Sequence, residues 1–274
     1  ARRVKKMDKL VPLPSLGFIP ERDLGSTPIL DIHHLGVEFG GLHAVDDFNL
    51  IIGRTEIAGL IGPNGAGKTT LFNLISGRFP VSSGTISMNG SRIDTLPPHE
   101  INRRGLSRSF QITSIFPMMS VFENIRCALL WSRGYKYSFW HLLSRQKALN
   151  EESERLLERL NLQSRRDLTA GLLSYAEQRA LEIGITIAGG AEVVLLDEPT
   201  AGMSHSETEY AVNLIRTVSE GKTLVMVEHD MSVVFGLADA VSVVVYGEVI
   251  ASDAPDKIRS NKAVQEAYLG AEAA

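Results

Sequence analysis

Short apolar runs alternate with longer amphipathic stretches along most of the chain. Residues 57–61, 193–196 and 223–227 form three runs that are almost wholly apolar and contain β-branched side chains. Runs of this kind are typical of strands that are buried on both faces of a parallel sheet. A further run at residues 241–246 predicts another strand of the same sheet, so the pattern indicates an α/β core.

The regions around this core have other periodicities. Residues 29–39 and 44–52 alternate apolar and polar positions on either side of Gly40 and Gly41, which predicts an antiparallel hairpin. Residues 71–75 predict a helix with Gly77 as its C-cap. From about residue 121 to 189 the spacing becomes helical, and one helix is predicted at residues 174–187 with a serine cap. We therefore expect an antiparallel β subdomain and a helical subdomain beside the core.

The composition and net charge of the chain limit the classes of protein to which it can belong. The chain has 274 residues and a net charge of −4, so it lacks the global basic field that nucleic-acid-binding proteins use. No apolar run approaches the roughly 20 residues that a membrane-spanning helix needs. Cys127 is the only cysteine, which excludes an intrachain disulfide and suits a reducing compartment.

One glycine-rich segment has the pattern of a phosphate-binding loop. It follows the apolar run at residues 57–61 and precedes the predicted helix, as a P-loop must. Its residues are Gly62, Pro63, Asn64, Gly65, Ala66, Gly67, Lys68, Thr69 and Thr70. Glycine lets backbone N–H groups approach phosphate oxygens, Lys68 supplies a charge for the β- and γ-phosphates, and Thr69 offers a hydroxyl to Mg²⁺. The segment predicts a nucleotide site.

Two carboxylates follow the buried run at residues 193–196. Asp197 is predicted to hold Mg²⁺, and Glu198 is predicted to polarise the attacking water as a general base. His229 follows the next apolar run. An Asn-Lys-x-Asp run for guanine recognition is not found after the strand. The motifs together predict binding and hydrolysis of ATP.

The order of these motifs resembles that of the ATP-binding-cassette (ABC) ATPases from about residue 28 onwards. Phe39 matches the aromatic residue that stacks on adenine, and Gln111 matches the glutamine that links the Mg²⁺ site to the transmembrane partner. Residues 173–178 occupy the signature position, and residues 201–204 form the short loop after Asp-Glu-Pro-Thr. The resemblance implies a P-loop NTPase (RecA-like) core in which His229 contacts the γ-phosphate.

The resemblance also implies roles for single residues. The implied catalytic residues are Lys68, Gln111, Glu198 and His229. The implied ligands of Mg²⁺ are Thr69, Gln111 and Asp197. Ser174 is expected to donate its hydroxyl to the γ-phosphate that an opposite ATPase subunit binds, so each ATP would lie between two chains.

The signature departs from the usual Leu-Ser-Gly-Gly-Gln. Tyr175 and Ala176 replace the two glycines. A tyrosine at this position resembles the signature of the ATPases of branched-chain amino-acid importers. We hypothesise that Ala176 restricts the backbone and loosens the clamp on the partner's γ-phosphate, which would make the two ATP sites of a heterodimer unequal. Ser204 stands where many cassettes have aspartate, so a hydroxyl would replace the charge there.

These features predict an ATP-hydrolysing subunit of an importer for branched-chain or other hydrophobic amino acids. The expected partners are permease subunits, a second ATPase chain and, indirectly, a substrate-binding protein. The expected location is the cytoplasmic face of the inner (plasma) membrane. Two alternatives stay open: an ABC ATPase for another solute, such as urea or lipopolysaccharide, and a non-transport ABC ATPase that acts on DNA or ribosomes.

Two parts of the chain are predicted to differ in organisation. Residues 1–27 are basic and carry several prolines, which predicts a tail or linker. Such a segment could also join the ATPase to a permease in a longer polypeptide, and this alternative stays open. Residues 28–274 are predicted to form the ATPase domain, with the helical subdomain at about residues 121–189.

Overall fold

The computed structural model describes residues 25–109, 115–132 and 146–271. The strands in this part of the chain are β1 Gly25–Phe39, β2 Leu42–Arg54, β3 Ile57–Ile61, β4 Ser83–Met88, β5 Ser91–Arg92, β6 Leu106–Arg108, β7 Val193–Asp197, β8 Thr223–Val227, β9 Ala240–Val245 and β10 Glu248–Asp253. The α-helices are α1 Lys68–Ile75, α2 Pro98–Arg103, α3 Val121–Ser132, α4 Lys147–Arg159, α5 Tyr175–Ala188, α6 His205–Val218, α7 Met231–Leu237, α8 Pro255–Ser260 and α9 Lys262–Ala271.

The central sheet is mainly parallel and carries the predicted core strands. Among the described residues its order is β10-β9-β3-β8-β7-β6. Every pair is parallel except β9 with β10. All residues of β3, β7 and β8 are buried, which confirms the prediction from their continuous apolar runs. Because these strands are parallel, their carboxyl ends meet at one edge of the sheet, where open α/β sheets bind ligands.

The second sheet is antiparallel and contains the predicted hairpin. β1 pairs with β2 and also with β4, and β5 extends the sheet to the order β2-β1-β4-β5 within the described chain. A hydrophobic core joins this sheet to α1 and to one face of the central sheet, through side chains such as Phe48, Phe72 and Leu195. The α/β fold class with an antiparallel β subdomain is thus confirmed.

Helices α3, α4 and α5 lie on the other face of the central sheet and share one core with it. Side chains such as Ile125, Leu157 and Leu181 are fully buried in that core. Ser174 caps α5, because its hydroxyl accepts a hydrogen bond from the backbone N–H of Glu177 while the Glu177 carboxylate accepts one from the N–H of Ser174. The predicted helix with a serine cap is confirmed.

Some elements differ from the prediction. Helix α1 is capped by Ser76, and Gly77, with φ of 71°, is the left-handed residue that follows the cap. The sequence pattern does not predict β6, because three residues are too short to show a periodicity. Residues 1–24 lie outside the described residues, so the predicted tail and the domain boundaries stay predictions. In the part of the chain that the structure describes, no helix combines the length and the apolar character that crossing a bilayer requires.

Candidate nucleotide-binding site

The carboxyl edge of the central sheet brings most of the predicted site residues together. β3 leads into the loop 62–67 and then α1, β7 ends at Asp197, and β8 leads to His229. A cavity of about 360 Å³ lies at this edge. The predicted residues that line it are Asn64, Gly65, Ala66, Gly67, Lys68, Thr69, Thr70, Glu198 and His229. Leu42, His43, Ala44 and Tyr246 complete its lining.

The glycine-rich loop is compact and requires glycine at its last position. Gly67 has φ of 98° and precedes the first residue of α1. A Cβ atom at this position would lie 2.7 Å from the carbonyl oxygen of Ala44, so a side chain would clash with β2. The first N–H groups of a helix have no intrahelical acceptor and carry a partial positive charge. The loop therefore directs the N-terminus of α1 towards the cavity as an anion site.

Lys68 is held by the loop itself. Its Nζ atom donates hydrogen bonds to the carbonyl oxygens of Gly62, at 2.6 Å, and Pro63, at 2.9 Å. Burial lowers the pKa of Lys68 below its usual value, although the carboxylates of Glu198 and Asp197 act in the opposite direction. The ammonium group is thus bonded to the loop carbonyls and lies close enough to the acidic end of β7 to interact electrostatically with both carboxylates.

Asp197 forms a buried ion pair that the sequence pattern does not predict. Its Oδ2 atom accepts a hydrogen bond of 2.8 Å from Arg108 Nη2, and the two side chains are 1% and 5% exposed. Arg108 also donates to Asn73 Oδ1 of α1, at 2.7 Å, and its guanidinium lies over the Phe72 ring. Burial lowers the pKa of Arg108, and the bond to Asp197 opposes this shift. The only feature of the sequence that points to this ion pair is that a charged residue, Arg108, ends a short strand before residue 111.

The other oxygen of Asp197 is available for a further ligand. Its Oδ1 atom is buried and has no hydrogen-bond partner among the described residues. Burying an unpaired carboxylate oxygen is unfavourable. A divalent cation, or water bound to one, would satisfy this atom, so the position fits the predicted Mg²⁺ site.

Glu198 and His229 are in direct contact at the opening of the cavity. The distance between His229 Nε2 and Glu198 Oε1 is 3.0 Å, and the two side chains are 46% and 24% exposed. Glu228, the residue before His229, is buried and was not predicted as a site residue. A charged residue at the end of an apolar strand is the sequence signal that could have found it.

Some of the predicted residues do not line this cavity. In the described part of the chain, the lining of the cavity does not include Phe39, whose ring packs edge-to-face on Phe79 with 5.3 Å between centroids. Ser174 lines a different cavity, together with Glu177 and Glu207. Gln111 lies outside the described residues.

The signature region contacts the loop after β7 within the same chain. The Tyr175 hydroxyl donates a hydrogen bond of 3.0 Å to the carbonyl oxygen of Ala201. Ala176 is buried in the first turn of α5. The Ser204 hydroxyl donates to Glu207 Oε2, at 2.7 Å, at the start of α6. The proposed effect of Ala176 on a partner's nucleotide stays a prediction.

The chain matches two protein-family models. One, described as ABC transporter, matches residues 45–201. The other, described as branched-chain amino acid ATP-binding cassette transporter, matches residues 248–274.

Known proteins with similar sequences and structures have related descriptions. The chain is 37% identical over 252 residues to the high-affinity branched-chain amino acid transport ATP-binding protein LivG of Escherichia coli (strain K12), which covers 89% of this chain and 99% of LivG. It is 36% identical over 254 residues to BraF of Pseudomonas aeruginosa, again covering 89% of this chain and 99% of BraF. A crystal structure of the ADP conformation of an ATP-binding cassette from an ABC transporter superposes with a TM-score of 0.77 and 25% identity, covering 89% of this chain and 100% of that one.

Proposed function

This chain belongs to the ABC transporter family, and from that premise we propose that it hydrolyses ATP to drive the uptake of branched-chain or other hydrophobic amino acids. One observation carries the proposed chemistry: Lys68, Glu198 and His229 line a single cavity at the carboxyl edge of the sheet. A phosphate-binding cation, a carboxylate and an imidazole within one cavity are suited to phosphoryl transfer to water.

The solute class is supported by features outside the nucleotide site. All cassettes share the phosphate-binding loop and the acidic end of β7, so these motifs do not distinguish solutes. The second family model instead matches the C-terminal residues 248–274, which lie beyond both motifs. The relatives LivG and BraF are named for branched-chain amino acids, and we extend that solute class to this chain as a proposal.

Phosphate binding is assigned to the glycine-rich loop. The backbone N–H groups of residues 62–70 would surround the β- and γ-phosphates, and Lys68 would exchange its bonds to the loop carbonyls for bonds to phosphate oxygens. Phe39 would stack on adenine, although its ring packs on Phe79 in this structure. Its exposed fraction of 44% leaves ring surface available for a base.

Mg²⁺ is assigned to the carboxylate of Asp197. The buried Oδ1 atom, which has no hydrogen-bond partner among the described residues, supports this assignment, with the Thr69 hydroxyl and the side chain of Gln111 as the other proposed ligands. When bound, Mg²⁺ would neutralise charge on the β- and γ-phosphate oxygens. Arg108 keeps the Asp197 carboxylate in a single orientation through its 2.8 Å bond to Oδ2.

Hydrolysis is assigned to Glu198 and His229. The Glu198 carboxylate would accept a proton from the water that attacks the γ-phosphorus, as ADP leaves. His229 would contact the γ-phosphate while its Nε2 atom lies close to Glu198, at 3.0 Å in this structure. The contact orients both side chains towards the same point above the loop.

We propose that two ATPase chains assemble so that each completes the nucleotide site of the other. Ser174 lies away from the cavity, so it would act on nucleotide bound by a second ATPase chain, whose own signature would close this site. Its hydroxyl oxygen accepts a bond from Glu177 N–H, and the hydroxyl also bonds to the Glu177 carboxylate, so Ser174 would exchange the bond to the carboxylate for one to a phosphate oxygen. We propose that the pair binds permease subunits at the cytoplasmic face of the membrane, with the exposed Phe116 and Met118 in the contact and a substrate-binding protein delivering the solute.

A two-part experiment tests the proposal. The full chain should co-purify from membranes with a permease-sized polypeptide, which a non-transport ATPase would not do. Cells should then take up labelled leucine, and Glu198→Gln should abolish this uptake while urea uptake stays unchanged. If the chain co-purifies with a permease but the variant takes up leucine normally, the proposed solute is contradicted. This result would not contradict the assignment of the chain to a family of ATPases.

A further inference from the structure

Glu198 has a backbone conformation that needs support from its surroundings. Its φ angle is +47°, in the left-handed region that non-glycine residues disfavour. Its N–H donates to the carbonyl oxygen of Val227, at 2.9 Å, and so attaches the residue to the end of β8. Two residues later, Thr200 turns back towards the same strand. The orientation of the Glu198 side chain therefore depends on contacts between the ends of β7 and β8.

Glu228 makes those contacts with both of its carboxylate oxygens. The side chain is buried, and the residue is 3% exposed. Its Oε1 atom accepts hydrogen bonds from the backbone N–H of Thr200, at 2.8 Å, and from the Thr200 hydroxyl, at 2.7 Å. Its Oε2 atom accepts a hydrogen bond of 3.1 Å from the backbone N–H of His229. A carboxylate suits this position because both of its oxygens can accept hydrogen bonds.

These bonds close a ring of contacts around the proposed catalytic pair. On one side, Glu198 and His229 touch through their side chains at 3.0 Å. On the other side, Glu228 connects the backbone of His229 to Thr200. Charge-assisted hydrogen bonds in a buried site are short and directional. The ring therefore limits how far the two catalytic side chains can separate.

We propose that Glu228 is a positioning residue that sets the separation of Glu198 and His229 during ATP hydrolysis. It is buried and is not among the described residues that line the cavity. It acts by holding the loop of His229 against the turn that follows Glu198. The inference rests on the base role proposed for Glu198.

A positioning role and a purely structural role of Glu228 predict that different measured properties change when the residue is replaced. Loss of a structural group lowers the thermal stability and the amount of folded protein. Loss of a positioning group lowers kcat, because the geometry of the attacking water is disturbed, while KM and ATP affinity stay nearly constant. The separation between His229 Nε2 and Glu198 Oε1 should also increase in the nucleotide-free protein, which provides a readout that does not need turnover.

Four variants in the assembled transporter, one of them a control, test the proposal. Glu228→Gln keeps the shape of the side chain but places an amide N–H donor, in place of an acceptor oxygen, opposite the backbone N–H of His229. Thr200→Val removes only the side-chain hydroxyl of Thr200. Each should lower kcat by about tenfold, the effect of losing one hydrogen bond to a charged group, with KM for MgATP changed less than about twofold. Thr200→Ser should restore the hydroxyl and most of the turnover that Thr200→Val loses. Thr208→Val, a change at a buried threonine of α6, is the matched control and should have no effect.

The outcomes separate this inference from the role proposed for Glu198. A crystal structure of nucleotide-free Thr200→Val should show the His229–Glu198 contact lengthened beyond hydrogen-bond distance, and adding Thr200→Val to Glu198→Gln should cause no further loss of turnover. Unchanged kcat in both Glu228→Gln and Thr200→Val, with Glu198→Gln inactive, would overturn the inference alone. A loss of kcat that follows the melting temperature, or equal activities of the valine and serine variants, would also overturn it. An active Glu198→Gln would overturn the proposed base.

Discussion

The phosphate-binding loop and the acidic end of β7 face the same cavity, but different kinds of contact determine their shapes. The loop is one continuous segment, and the Lys68 ammonium bonds to two of its own carbonyls. The acidic end instead depends on side chains from other elements: Arg108 of β6, Arg179 of α5 and Glu228 at the end of β8. Arg179 donates to the carbonyl oxygens of Asp197, at 2.9 Å, and Glu198, at 3.1 Å.

This difference predicts which property each substitution changes. Changes in the loop should act mainly on nucleotide affinity, because one continuous segment would supply the proposed phosphate ligands. Changes at the acidic end should act on turnover or on stability, because Asp197 is buried and the groups that hold this end are bonded over long sequence distances.

Glu198→Gln should have the largest effect. The amide keeps the shape of the carboxylate but cannot accept a proton, so turnover should fall by about 10²–10⁴-fold while ATP still binds. ATPase activity of the assembled transporter and binding of a fluorescent ATP analogue measure the two quantities. Glu248→Gln, a change at an exposed residue of β10, is the control. More than about a tenth of wild-type turnover would contradict the assignment of the base.

Arg108→Met should mainly reduce stability. It would leave the Asp197 carboxylate buried without its cation, which costs about 3–5 kcal/mol for a buried pair. Urea unfolding of the nucleotide-free chain measures this loss. Lys147→Met, which removes an exposed ion pair with Glu151, should change the midpoint little. Equal midpoints for the two variants would show that the acidic end does not depend on β6.

Lys68→Ala should weaken nucleotide binding. The Kd for ATP should rise by about 10–100-fold, because one charge-assisted hydrogen bond contributes about 1.5–3 kcal/mol. Isothermal titration with MgATP measures the affinity. Unfolding of the nucleotide-free variant should differ little from wild type, in contrast to Arg108→Met. An unchanged Kd would show that the loop does not bind phosphate through this lysine.

The pH dependence of the free energy of unfolding tests whether the loop and the acidic end of β7 are electrostatically coupled. The expected effect is small. The pKa of Lys68 is lowered from its ordinary value of 10.5, so the unfolded chain binds more protons between the lowered pKa and 10.5. The free energy of unfolding should therefore rise with pH in that window. Lys68→Met should flatten the rise. Because the Glu198 charge raises this pKa, Glu198→Gln should extend the window to lower pH, and an identical pH profile would show that the regions are independent.

The parts of the fold that could be predicted are those with a strong local pattern. β3, β7 and β8 are continuous apolar runs, and their burial on both faces follows from that composition. The cap of α5 at Ser174 follows from local hydrogen-bonding chemistry. The short strand β6 shows no such pattern, because its three residues are a strand only through pairing with β7. The bond from Arg108 to Asp197, 89 positions apart, had no pattern to reveal it.

Local patterns in the sequence were enough to predict the glycine-rich loop, the buried strands and the candidate reactive groups, because glycine spacing, apolar runs and titratable side chains act over a few residues. The tertiary structure decided which groups meet. Parallel pairing of β7 with β8 places Glu198 beside His229 and allows Glu228 to connect their loops. It also decided that one oxygen of Asp197 is bonded to Arg108, while the other has no hydrogen-bond partner in the part of the chain that the structure describes. Such contacts depend on strand order, which a local pattern of residues does not contain.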